Sequence, residues 1–270
     1  MTLRYLDRLP PLHIAHRGGA LLYPENTLTA FDAAVRMHRT DAIETDVHLS
    51  ADGVVMIFHD DTLDRCTSAD GPVAARTAAE LAAVDAGHHF TADGGRTFPF
   101  RGKGIGVPTL AEALHSWPDL PFNIELKSND PRLVEAFVKL IRGAGAAGRI
   151  CCGSENDDVG AALAEALPEA THFYPTGPGS AFILTVLQGG KPPLDPRYTV
   201  LDMPAEYGGM PLITPRLIEI AAETGRFINV WTIDESAEMH RLLDVGVGGI
   251  MTDRPDRLRD VLDARREAKP

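Results

Sequence analysis

The stretch HRGGALLYPENTLTAFDAAVRMHRTDAIETDVHLSADGVVMIFHD, residues 16–60, decides how this chain is read. It holds two histidines, an arginine and two carboxylates one residue apart. LHIA leads into His16-Arg17, AIETDV carries Glu44 and Asp46, and VVMIF leads into His59-Asp60. Each run is apolar and strand-like. Side chains of a strand alternate with period two, so Glu44 and Asp46 share a face. Two acids on one face of a core strand are costly unless something positive sits between them, and a divalent cation is the simplest such partner. The link from Asp46 to Val54 is too short for a helical crossover. Asp52-Gly53 is a two-residue hairpin signal, and a turn centred there sets Asp46 opposite His59. This spacing predicts Glu44, Asp46 and His59 side by side, with His48 on the same face but higher on the hairpin.

Upstream, residues 1–11 read as a lead-in and residues 13–15 as the first strand. Residues 24–39 read as a helix capped by Asn26 or Thr27, with an apolar stripe of Leu28, Phe31, Ala34, Val35 and Met37. Downstream, residues 61–107 have weak periodicity and are rich in Gly, Asp and Pro. VPTLAEALHSW begins a helix, and FNIELK is a strand that puts Glu125 and Lys127 on one face. From there the chain alternates. Helices at 131–145, 157–167, 180–188, 215–224 and 236–245 separate strands near 149, 171, 198, 227 and 249. With those at 13, 42 and 122 they make eight parallel strands. The expectation is α/β, a TIM (β/α)8 barrel forming a single domain over 1–270.

The bulk properties agree. The chain has 270 residues, 44% hydrophobic and 24% charged, and a formal net charge of −12. Such a charge disfavours nucleic acid and anionic membranes as partners. Cys66, Cys151 and Cys152 are odd in number, two of them adjacent, which makes a poor disulfide framework and points to a reducing compartment. No signal core and no long apolar run is present, so a cytoplasmic protein without stable membrane insertion is expected.

HRG at 16–18, PENT at 24–27, E-x-D at 44–46 and HD at 59–60 resemble the glycerophosphodiester phosphodiesterase family. PTL-x-EAL, E-x-K at 125–127, VWTI and GVGGIMTDRP extend the likeness over about residues 13–255. The resemblance implies a TIM barrel that hydrolyses a small-molecule glycerophosphodiester to sn-glycerol 3-phosphate and an alcohol, with one divalent metal ion, Ca2+ or Mg2+. It implies Glu44, Asp46 and Glu125 as metal ligands, and Arg17 and Lys127 as phosphate binders. His16 and His59 become the general acid/base pair, because histidine alone gives and takes protons near neutrality. Trp231 is a possible pocket wall, or plain core. Residues 61–107 look like the family's insertion, an insertion subdomain expected over the barrel mouth. Where family members often carry Ser-Phe after the fifth strand, this chain has Ser154-Glu155, to which no role is assigned.

The plain alternatives are acids in salt bridges, structural or zinc-binding histidines, and cations paired with nearby acids. His38, His88, His89, His115, His172 and His240 fit that plain reading. Lysophospholipase D activity on the same barrel is the nearest rival, and it predicts a wide apolar mouth near 61–107. A catalytically silent binding barrel is the rival of another class.

Overall fold

In the computed structural model, residues 5–7 and 10–267 are described. Residues 1–4, 8 and 9 of the expected lead-in lie outside them. Eight parallel strands form the barrel: β1 Leu12–His16, β2 Ala42–Leu49, β3 Phe122–Leu126, β4 Ile150–Gly153, β5 Thr171–His172, β6 Val200–Pro204, β7 Phe227–Trp231 and β8 Gly249–Thr252. β1 pairs with both β8 and β2, so the sheet runs on in both directions. The ring is completed where Phe173 bridges Val200, with Tyr174 N–H donating to the Val200 carbonyl at 2.8 Å. The strand count agrees with the alternation, and apart from the two-residue β5 each strand is buried along most of its length, as a sheet covered by helices requires.

Helix ends are decided by local chemistry. The first full helix is Leu28–Arg36, shorter than the periodicity predicts, because Pro24–Asn26 form a turn and the Thr27 hydroxyl caps the Ala30 N–H at 3.2 Å. Phe31 and Ala34 then face the sheet, both fully buried. Asp130, Asn156 and Thr214 cap the helices Pro131–Gly143, Asp157–Ala166 and Pro215–Glu223 in the same way. The helix expected at 180–188 starts earlier, at Thr176, and ends at Leu187.

Inside the ring, Tyr5, Leu12, Ile14, Ala42, Cys151 and Met251 pack together, so part of the lead-in plugs the N-terminal end of the barrel. Above this plug is a polar layer. Asn123 and Asn229 each donate to the Asp202 carboxylate at 2.7 Å. Burial raises the Asp202 carboxyl to about 6, against the opposing pull of those two amides. Residues 56–107 pack around a separate apolar cluster that includes Phe58, Leu63, Val73 and Leu81.

The hairpin register departs from the expected one. β2 pairs Val47 with Ile57, His48 with Met56 and Leu49 with Val55. Asp46 therefore faces Phe58, whose N–H donates to the Asp46 carbonyl at 2.9 Å, and not His59. The cause is Ser50. Its hydroxyl accepts from Val54 N–H at 2.9 Å and donates to Asp52 at 2.6 Å, which widens the loop to Ala51, Asp52 and Gly53. Gly53 takes the left-handed conformation (φ 81°) that such a three-residue loop needs.

Candidate active site

The C-terminal ends of the strands open into a cavity of about 620 Å3, the size of a small-molecule site. It is lined by His16, Arg17, Glu44, Asp46, His59, Glu125, Lys127 and Trp231, so every residue named from the sequence reaches it. His16 is level with Glu44 across the β1–β2 pair, and Asp46 with Glu125 across β2–β3. Period two within a strand and register between strands together gather the three carboxylates. His59 arrives by another route than the predicted one. The return strand stops at Ile57, the chain bends at His59-Asp60, and the side chain still lines the cavity. His48 fastens that bend, with Nε2 donating to the His59 carbonyl at 3.0 Å.

HRGG turns sharply. Arg17 itself has φ 49° and Gly18 φ 83°, and a Cβ on Gly18 would stand 2.7 Å from the Cβ of Ala30. The close approach packs the turn on the first helix. Arg17 Nη1 donates to Glu25 at 2.9 Å, and its Nε is 3.4 Å from Asp46. Glu25 also pairs with Arg65 at 2.7 Å, and Arg65 with Asp60 at 2.6 Å. Asp60 accepts from His59 Nδ1 at 2.6 Å, so a chain of ion pairs joins Arg17 to His59.

Each histidine is held by a carboxylate on Nδ1. For His59 it is Asp60, and for His16 it is Asp253 at 2.7 Å. Nε2 is the atom left for proton exchange, and His16 Nε2 lies 3.7 Å from Glu44. Burial alone would depress His16, but Glu44 and Asp253 raise it to about 9. Burial works against the ionised Asp60 too, yet Arg65 and His59 hold it down to about 2.

The carboxylates carry more negative charge than the pocket compensates. Burial and then the neighbouring Asp46 push Glu44 well above the carboxylate range. Burial raises Glu125 to about 7. Asp46 stays low because, against its burial, Lys127 and Arg17 stabilise its charge. Lys127 Nζ lies 3.2 Å from Asp46 and 2.7 Å from Glu125, the pairing with acids that the plain reading anticipated. Among the described residues, no three acidic, histidine or cysteine side chains stand close enough together to grip an ion as placed.

Several site residues escaped the sequence reading. Asn26 does not cap the helix; it donates to Asp46 at 2.9 Å and accepts from Thr45 at 2.7 Å. Glu25, Asp60 and Asp253 were visible as letters of PENT, HD and TDRP, but their role in aiming other side chains was not. Ser154 donates to the Leu126 carbonyl at 2.7 Å, and Glu155 lines the cavity. The far wall comes from residues 173–212, and no residue of 61–107 lines the cavity.

The model of the family described as "Glycerophosphoryl diester phosphodiesterase family" matches residues 16–257. A glycerophosphodiester phosphodiesterase of Caldanaerobacter subterraneus is 34% identical over 92% of this chain and 96% of its own length. A crystal structure of a glycerophosphoryl diester phosphodiesterase domain from Mycobacterium tuberculosis superposes with TM-score 0.83 at 23% identity, covering 94% of this chain and 99% of that one. A phosphodiesterase of Oleispira antarctica, solved in complex with the product sn-glycerol-3-phosphate, has TM-score 0.73 at 25% identity over 94% of this chain and 97% of that one.

Proposed function

This chain belongs to the glycerophosphoryl diester phosphodiesterase family and is a hydrolase of glycerophosphodiesters, and from that premise we propose that His16 and His59 are its general acid and base. The observation that carries this reading is that both rings line one cavity with Nδ1 engaged by a carboxylate and Nε2 left for the substrate. One ring takes the proton of the attacking water, or of the substrate's own 2-hydroxyl, whose cyclic phosphate water then opens; the other gives a proton to the leaving oxygen. The products are sn-glycerol 3-phosphate and an alcohol. Arg17 and Lys127 bind the non-bridging phosphate oxygens and offset charge in the transition state.

Glu44, Asp46 and Glu125 would hold one divalent cation, Ca2+ or Mg2+. The fit rests on the donor set: three hard oxygen ligands that strand register brings to one side of the cavity. Lys127 pairs with Asp46 and Glu125 of that set, and its Nζ would trade one of these acids for a phosphate oxygen. A bound cation supplies Lewis-acid polarisation of a phosphate oxygen. Residues 61–107 form an insertion subdomain on their own apolar cluster, contributing Arg65 to the ion-pair chain. Three free cysteines fit a reducing, cytoplasmic setting. No described helix is long and apolar enough to cross a membrane.

The test is release of glycerol 3-phosphate from glycerophosphocholine and glycerophosphoethanolamine with Ca2+, Mg2+ or EDTA, beside Glu44→Gln. The expected result is metal-dependent turnover that EDTA and the substitution both abolish. Turnover indifferent to both would overturn the metal assignment.

A further inference from the structure

Arg65 stands outside the cavity yet holds two residues of its wall. It lies shortly after His59, in the segment that packs on its own apolar cluster, and its side chain is 48% exposed. All the hydrogen bonds of its guanidinium go to two carboxylates. Nη1 and Nη2 donate to Glu25 at 2.7 and 2.8 Å, and Nε and Nη2 donate to Asp60 at 2.6 and 3.0 Å. One planar fork thus grips an acid on each of two edges, a fixed geometry that an ammonium group does not supply.

Each acid passes the constraint inward. Glu25 Oε1 accepts from Arg17 Nη1 at 2.9 Å, and Asp60 Oδ1 accepts from His59 Nδ1 at 2.6 Å. Of these five residues only Arg17 and His59 line the cavity. Glu25 and Asp60 come from separate segments, the turn before the first helix and the bend after the return strand. Their spacing is therefore set across the fold and not within either segment. Burial opposes the charge on Glu25, yet Arg65 and then Arg17 hold it below the usual carboxylate range.

The plain account of Arg65 is an anchor that fastens residues 61–107 to the barrel. Ion pairs this exposed add little to stability. That segment is already fastened by Leu63, Val73 and Leu81, which are fully buried in one cluster with Met56 of the return strand. What the short bonds of Arg65 add is direction.

We propose that Arg65 is a positioning residue for the hydrolysis: it sets the ring of His59 through Asp60 and the guanidinium of Arg17 through Glu25, and so ties the orientation of the proton-transfer group to that of the phosphate clamp. The proposal rests on the roles given above to His59 and Arg17, and adds that the 61–107 segment acts on the chemistry from outside the cavity. A charged Asp60 held in place keeps the neutral ring's proton on Nδ1 and leaves Nε2 for the substrate. Misplacing either group by about 1 Å costs up to about 100-fold in rate.

The test is steady-state kinetics on glycerophosphocholine. Arg65→Ala is expected to lower kcat/KM about 10- to 100-fold with an unchanged circular dichroism spectrum. Arg65→Lys, which keeps the charge without the fork, should recover only part of that loss. Added ethylguanidinium should restore activity to Arg65→Ala and none to His59→Ala. Asp60→Asn should act mainly on kcat and Glu25→Gln mainly on KM, and Arg65→Ala combined with either should cost less than it costs alone. An Arg65→Ala enzyme with wild-type kcat/KM, or losses that add in full in both double variants, overturns the proposal and leaves the phosphodiesterase reading standing. Proton–nitrogen correlation spectra of the neutral His59 ring, assigned by its absence from His59→Ala, read the positioning without turnover. The wild type should carry the proton on Nδ1, and Arg65→Ala should show the Nε2–H form as well. That change supports the positioning of His59 even if no diester is cleaved, and a ring unchanged in Arg65→Ala overturns it.

Discussion

The mouth of the barrel has two unlike halves. On the side of β1, β2 and β3 the cavity wall is carboxylate, guanidinium, ammonium and imidazole, each group held by at least one other. Asp46 alone is approached by Asn26, Arg17 and Lys127. On the side of the helix Thr176–Leu187 and the hairpin after β6, the wall is leucine, isoleucine, methionine and tyrosine, partly open to water. Charged groups must be placed to within a hydrogen bond, because an unpaired buried charge costs several kcal/mol. They therefore sit on barrel strands and on tight turns. An apolar wall has no such demand for direction, so a helix face and a hairpin serve. The difference teaches that directional polar groups and a non-directional apolar wall are built on separate parts of one rim.

The first way to break this comparison is to delete a proton-transfer group. His16→Ala and His59→Ala are each expected to lower kcat about 10^2- to 10^4-fold with an unchanged circular dichroism spectrum. A loss under tenfold in either would remove that ring from the charged half's chemistry.

A smaller effect tests whether that half works as a mutually supported set. Asn26→Ala takes away an amide that holds Asp46 at 2.9 Å. Groups that hold metal ligands typically contribute 10- to 100-fold to metal affinity. The activating Ca2+ or Mg2+ concentration should rise by that factor, with kcat at saturating metal changed far less. An unmoved metal requirement would show that Asp46 needs no such support.

Next is a contrast between two histidines of one strand. His16 points into the mouth and is raised to about 9, while His13 is buried against the helical shell and is depressed to about 3, by burial first and then by Arg259. The unfolded chain binds the His13 proton near 6.5 and the folded chain only near 3. Stability contributed by the neutral ring is therefore intact above about 6.5 and falls as pH drops through that window. Between pH 6.5 and 4.5 the loss is roughly 2–3 kcal/mol. His13→Leu should flatten that part of the Tm-against-pH curve. A curve that keeps its slope would assign the acid lability to another group.

The smallest expected effect belongs to the apolar half. Gly209→Ala puts a Cβ at φ 79°, costing about 1 kcal/mol in the hairpin turn. Tm should drop by no more than about 2–4 °C. A drop much beyond that would mean the hairpin is part of the barrel's cooperative core and not a separate lip.

The charged half was legible because its signals are local. Glu44 and Asp46, or Glu125 and Lys127, share a face by strand period alone, and apolar runs ending in polar letters mark strand ends. Eight such runs in alternation with capped helices are enough to read the barrel. The apolar half was not legible. Ile183 and Leu184 look like any helix core, and Tyr207 and Met210 flank an ordinary glycine turn. An apolar mouth near 61–107 was the wrong place to look, since the wall stands at 173–212. The hairpin register failed on one hydroxyl: Ser50 added a residue to the loop, and a slip of one moves every opposed pair.

By itself, then, the sequence determined which residue types reach the strand ends and how many strands the barrel has, since alternation, capping and turn chemistry act within a few residues. Only the tertiary structure decided which groups meet. Asp253 reaches His16 from 237 residues away, and Arg65 ties Glu25 to Asp60. Lys127 sits between two acids, and the exposed leucine and methionine of 184–210 face the same cavity as the histidines. Those meetings depend on closing the ring of strands, and no local period encodes the far side of a closed ring.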